Sequence, residues 1–131
     1  NNEFGNVAGK RTPRSPEWNG YLTSRYSRPL NDAMSLVIGV DLTAEGSKFA
    51  QVHNLIETGS RLYVNARAGV ETDNWSVQLW GRNLNDDETA LDILRYVDGR
   101  GLSYFGGLAT RGFAISLPKP RQVGLTATYK F

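Results

Sequence analysis

Cysteine is absent from the 131 residues, which excludes disulfide scaffolds, thiolate metal sites and thiol nucleophiles. Histidine occurs once, as His53, and without thiolates a transition-metal site finds no partners at ligand spacing. His53 therefore reads as a solvated loop residue. A Ser-His-Asp arrangement would have to use it with Ser47 or Ser60, and neither serine stands in a nucleophile-elbow sequence. No enzymatic activity, metal or cofactor is expected. Long apolar runs are missing too: no stretch approaches the ~20 residues of a bilayer-crossing helix, a test that leaves β spans open. The chain begins without an initiator Met or a basic-then-apolar signal segment, so it is expected to be a mature product or a piece of a longer chain. Charge of one sign is scarce: 15 basic against 13 acidic residues leave +2. The tight basic cluster Lys10, Arg11 and Arg14 has no interleaved aromatic platform, so nucleic acid is not an expected partner.

Other short patterns carry little chemistry. Asp86, Asp87, Glu88 and Asp92 lack the alternating ligands and central Gly of a calcium loop and read as a hydrated rim. The glycine-rich run from Asp98 lacks a Gly-Lys-Ser/Thr ending. Asn74-Trp75-Ser76 matches a glycosylation acceptor but falls in a tight turn.

What is present is alternation. Five stretches, starting at Trp18, Met34, Leu62, Trp75 and Pro120, place apolar and polar residues on opposite parities, the period-two signature of a strand. In the second, Met34, Leu36, Ile38, Val40 and Leu42 oppose Ser35, Gly39, Asp41 and Thr43; in the last, Val123, Leu125, Ala127, Tyr129 and Phe131 oppose Gln122, Gly124, Thr126, Thr128 and Lys130. Each stretch covers about eleven residues, which at a tilt near 40–45° rises roughly 25–28 Å, the apolar height of an outer-membrane barrel. Connections alternate as well: "PLNDA" and "DN" are short, while those after Ala44 and Asn85 are long. Tight turns on one side and extended loops on the other are the asymmetry of transmembrane barrels. The expected fold is all-β: an antiparallel up-and-down transmembrane β-barrel segment of about five long strands, an incomplete barrel filling residues 1–131.

Under this reading, Asp73 and Asn74 form a two-residue turn that sets Ala68 against Leu79 and Arg67 against Trp80, with a cation–π contact expected in the second pair. Tyr26, Trp75, Tyr129 and Phe131 are expected at one height as a periplasmic aromatic girdle, with Trp18 in the outer one. Arg25, Asp41, Arg67, Glu71, Arg82 and Lys130 share the lumen parity, where a charged group meets solvent or a plug. In the last outer loop Tyr104, Phe105, Arg111 and Phe113 are candidate ligand contacts. Arg121, at the outer rim, is a candidate for lipopolysaccharide phosphates.

Three stretches carry a family resemblance: "GKRTPRSPEWNGYLTSRYSRPL", "VNARAGVETDNWSVQLWGRNLNDDE" and "GFAISLPKPRQVGLTATYKF". They resemble the C-terminal quarter of a TonB-dependent outer-membrane receptor. The late hairpin with its Asn-Leu-x-Asp segment corresponds to Asn83 to Asp86, and the last strand to the segment closing on Tyr129 and Phe131. The resemblance implies the bacterial outer membrane and import of a scarce nutrient, a ferric siderophore, cobalamin or a saccharide, energised through TonB. It implies that Tyr129 and Phe131 form the signal read by the barrel-assembly machinery. Its implied partners are outer-membrane lipid and lipopolysaccharide, a plug domain and further strands of a full-length chain, and TonB through an N-terminal part not present in these residues. Two rivals stand beside it: a soluble lipocalin-like barrel that turns the apolar parity inward, and the wall of a passive porin.

Overall fold

All five alternating stretches form strands. The computed structural model describes residues 5–98 and 110–131. Its strands are β1 (Asn19–Asn31), β2 (Met34–Glu45), β3 (Arg61–Glu71), β4 (Trp75–Arg82), β5 (Asp92–Asp98), β6 (Thr110–Ser116) and β7 (Gln122–Tyr129). All pairings are antiparallel, and the described residues contain no helix.

The described residues separate into two compact units. The sheet unit, Trp18–Glu45, Arg61–Glu88 and Lys119–Phe131, is a five-stranded sheet in the order β1-β2-β3-β4-β7. Every strand neighbours its predecessor within the sheet, so the sheet is a meander whose edges are β1 and β7. It is open: β1 and β7 do not pair with each other.

Local chemistry fixes the turns. Asn31 Oδ1 accepts from the Ala33 N–H at 3.0 Å, an Asx turn that reverses the chain between β1 and β2. Between β3 and β4, the Thr72 N–H donates to the Trp75 carbonyl at 2.8 Å and Thr72 Oγ1 accepts from the Trp75 N–H at 3.0 Å. This turn sets the register anticipated from the alternation, Arg67 opposite Trp80 and Ala68 opposite Leu79. A slip of one residue would carry every apolar side chain of β4 to the polar face.

Two strands are shorter than the eleven residues expected: β4 and β7 each have 8. The upper end of β4 is stopped by Asn83, which takes a left-handed φ of 50°, a conformation that Asn tolerates better than most residues. Its side chain, 2% exposed, then staples the loop. Oδ1 accepts from the Asp87 N–H at 2.9 Å, and Nδ2 donates to the Asp87 and Lys119 carbonyls, both at 3.0 Å. Beyond β4, the exposed edge of β3 is satisfied by side chains instead of a strand. Asn85 accepts from the Val64 N–H at 3.1 Å and donates to the Leu62 carbonyl at 2.6 Å, while Asp87 accepts from the Leu62 N–H at 2.8 Å.

The loop unit, Asn1–Glu17, Gly46–Ser60 and Thr89–Pro118, corrects the count of five strands to seven. Within the expected long loop, β5 and β6 pair as a separate two-stranded sheet. Their pairs are Ile93–Ile115, Arg95–Phe113 and Val97–Arg111 on one face and Leu94–Ala114 and Tyr96–Gly112 on the other. Both faces carry apolar residues, so no alternation marks the hairpin in the sequence. The segment 46–60 folds on itself through a Phe49–Glu57 bridge.

Candidate functional site

The five-stranded sheet has two faces of opposite chemistry. The polar face carries five of the six residues expected on the lumen parity, Arg25, Asp41, Arg67, Glu71 and Arg82, while Lys130 directly follows β7. One row across it reads Arg25, Gly39, Arg67, Trp80, Gly124. Large side chains recline over the glycines beside them. A Cβ placed on Gly39 would stand 2.7 Å from Arg67 Nε, and one on Gly124 would collide with the Trp80 ring. Arg67 thus leans toward β2 and Trp80 toward β7. This divergence replaces the expected Arg67–Trp80 contact: the guanidinium over the Trp80 ring, 5.1 Å from its centroid, belongs to Arg82. Trp80 Nε1 donates to Thr126 Oγ1 at 3.0 Å, which fixes the ring.

Other groups tie this face across strands. Thr23 Oγ1 donates to Asp41 Oδ1 at 2.9 Å, and Arg25 faces Glu71 at 3.6 Å. Asp41, Asn65, Arg67, Gln78, Trp80 and Arg82 line a depression of about 330 Å³. A second depression beside the two tight turns is lined by Glu71, Asp32, Asp73 and Lys130. Among the strand residues of this face, Arg25, Arg61, Arg67 and Arg82 stand against Asp41, Glu45 and Glu71, so the face is cationic by one charge. Val37, 3% exposed, is the apolar exception here, seated between Ser27 and Gly69.

The opposite face is uncovered and apolar apart from Ser24 and Arg28 on the edge strand β1. Tyr26, Ile38, Ala68, Leu79 and Leu125 share one row, in which Tyr26 is 54%, Leu79 54% and Leu125 67% exposed. Leu22, Leu62 and Val123 are exposed as well. Of the expected girdle, Trp75 and Tyr129 are register partners at the tight-turn end, and Phe131 meets Tyr129 edge-on at 5.3 Å. Tyr26 stands further along, in the Leu79 row. Trp18, half-exposed, directly precedes β1 at the other end.

In the loop unit, Tyr104 and Phe105 lie outside the described residues. Arg111 and Phe113 are on β6, on the face they share with Arg95. His53 lines a cavity with Pro13, Arg14 and Arg95. Two members of the acidic run also make structural contacts: Asp86 accepts from the Arg121 N–H at 2.9 Å and faces its guanidinium at 3.6 Å, and Asp92 faces Arg14 at 3.7 Å. Arg121, considered above for phosphate contact, therefore has a carboxylate partner already. Sequence reasoning missed Asn83 and Asn85 as structural staples; the signal was two asparagines immediately after a strand, a pattern that favours side-chain capping of backbone groups. Compared with protein-family models, curated proteins and solved structures, the chain finds no match.

Proposed function

We propose that the five-stranded sheet is a segment of an outer-membrane β-barrel wall, and that the protein is the C-terminal part of a TonB-dependent receptor importing a scarce nutrient. The observation that carries the wall reading is the uncovered apolar row of Tyr26, Ile38, Leu79 and Leu125, backed by a polar face of opposite parity. In water such a face would cost about 25 cal/mol for each Å² left wet; hydrocarbon removes that cost. A meander with tight turns at one end and long connections at the other supports the same reading. In it, the edges of β1 and β7 pair with strands of the same barrel outside these residues, and the cationic face lines the lumen.

A soluble barrel would gather Leu36, Val64, Leu79 and Leu125 around a closed interior. The exposure of Leu79 and Leu125 weighs against that rival. The receptor assignment itself rests on the three resembling stretches and on Asn83 to Asp86, whose staple explains why that segment has its composition.

Spin labels at Leu79 and Leu125, compared with labels at Gln78 and Thr126, test the wall in reconstituted bilayers. The first pair should be relaxed by oxygen and shielded from a water-soluble nickel chelate, and the second pair should show the reverse. Equal accessibility of the two pairs would end the wall reading. Nutrient uptake that persists in cells lacking TonB would instead leave a passive porin.

A further inference from the structure

The loop unit holds a cavity of about 370 Å³, built from sequence-distant segments. Arg14 and Arg95 line it beside the apolar residues Pro13, Ala50 and Val52, with His53 and Gln51 completing the lining. Its walls are pinned before any ligand arrives. Asn54, at a left-handed φ of 55°, accepts from the Arg11 N–H at 2.6 Å and donates to the Arg11 and Gln51 carbonyls at 3.0 and 3.2 Å. Arg14 itself has φ of 59° and its N–H donates to the Phe49 carbonyl at 2.7 Å. Arg11 lies over the Phe49 ring, 5.1 Å from its centroid, behind this backbone.

Of the two arginines, Arg14 is ion-paired with Asp92 and Arg95 has no carboxylate partner among the described residues. Arg14 Nε stands 3.7 Å from Asp92, beyond hydrogen-bond distance. Across the hairpin from Arg95 is Phe113, 48% exposed, on the same face. A forked cationic donor set beside apolar wall selects planar anions that also have an apolar body, because a carboxylate engages guanidinium by two parallel hydrogen bonds and its hydrocarbon leaves water against the wall.

We propose that this cavity binds a small organic carboxylate with an apolar body, its carboxylate held by Arg95 and Arg14 and its hydrocarbon against Pro13 and Val52. The proposal stands on the loop unit alone, so its failure and that of the wall reading are separate. Benzoate is the probe, titrated into the intact protein in detergent by calorimetry and by the arginine Nε–H resonances. Benzoate should bind saturably at millimolar concentration or below, shift the Arg95 and Arg14 Nε–H signals, and bind at least tenfold more tightly than inorganic phosphate. Arg95→Ala should weaken it at least tenfold and Arg95→Lys by less; Arg14→Gln, which removes the ion pair to Asp92 but no backbone pairing of β5 with β6, should weaken it as well. The proposal is overturned by absent binding, by phosphate binding as tightly as benzoate, or by unchanged affinity in both Arg95→Ala and Arg14→Gln.

Discussion

Single asparagines and glycines decide where this sheet ends and how flat its polar face is. Asn83, directly after β4, is joined to Asp87 and to Lys119 in the segment leading into β7 through one buried amide. Replacing it with Ala strands the Asp87 N–H and two carbonyls and places a Cβ residue without a local hydrogen bond at positive φ. Asn83→Ala should therefore destabilise the protein by roughly 3 kcal/mol, read from urea unfolding in detergent. Asn83→Asp keeps the acceptor but turns two donated bonds into oxygen–oxygen repulsion, and should be no better. Two glycines make a matched control. A Cβ on Gly69 would collide with the Val77 carbonyl and lie 2.8 Å from Gln78 Cα, both backbone, whereas Gly20 has nothing within 4 Å and no positive φ. Gly69→Ala should lower stability by about 1–3 kcal/mol, and Gly20→Ala should leave it unchanged or raise it by about 0.5 kcal/mol.

At the scale of elements, alternation carried most of what the sequence discloses. The β3–β4 register was legible because Asp73-Asn74 leaves only one pairing that keeps Leu79 with Ala68 and Trp80 with Arg67. The neighbourhood of β4 and β7 is not local, since 39 residues separate Arg82 from Gln122, yet the shared parity of Leu79 and Leu125 anticipated the common face. What stayed hidden has physical causes. The β5–β6 hairpin mixes Ile93, Arg95 and Val97 on one face and Leu94 and Tyr96 on the other, so period two vanishes. The lean of Arg67 away from Trp80 depends on which neighbour is glycine, a property of the folded row and not of either strand. The anion cavity joins Pro13, Val52 and Arg95, and no spacing rule relates them. Register and capping can each be tested. Cysteines at Ser76 and Thr128, which are direct partners, should be joined by a cross-linker spanning about 5 Å, and cysteines at Ser76 and Thr126 should not, because diagonal neighbours stand roughly 7–8 Å apart. In Asn85→Ala the Val64 amide loses its only side-chain acceptor, so its hydrogen exchange should accelerate at least tenfold while that of Ala68, paired within the β3–β4 ladder, stays unchanged.

For the whole molecule, the decisive quantity is how much apolar surface the sheet leaves without a protein partner. Its two edges differ in defence. β1 carries Arg25, Arg28, Pro29 and an irregular register between Pro29 and Asn31, features that discourage pairing with another chain. Between Gln122 and Tyr129, β7 has neither charge nor proline and exposes Val123, Leu125 and Tyr129. Without detergent, association should therefore run through β7 and its apolar face. Leu125→Lys should raise the soluble fraction in buffer, measured by sedimentation, more than Leu22→Lys on the already defended β1. The same Leu125→Lys should weaken insertion into bilayers, by about 2–4 kcal/mol where the position falls at the midplane. These opposite signs separate a lipid-facing wall from a soluble barrel: if Leu125 packed a closed interior, lysine there would lower solubility in buffer and leave nothing to be lost in the bilayer.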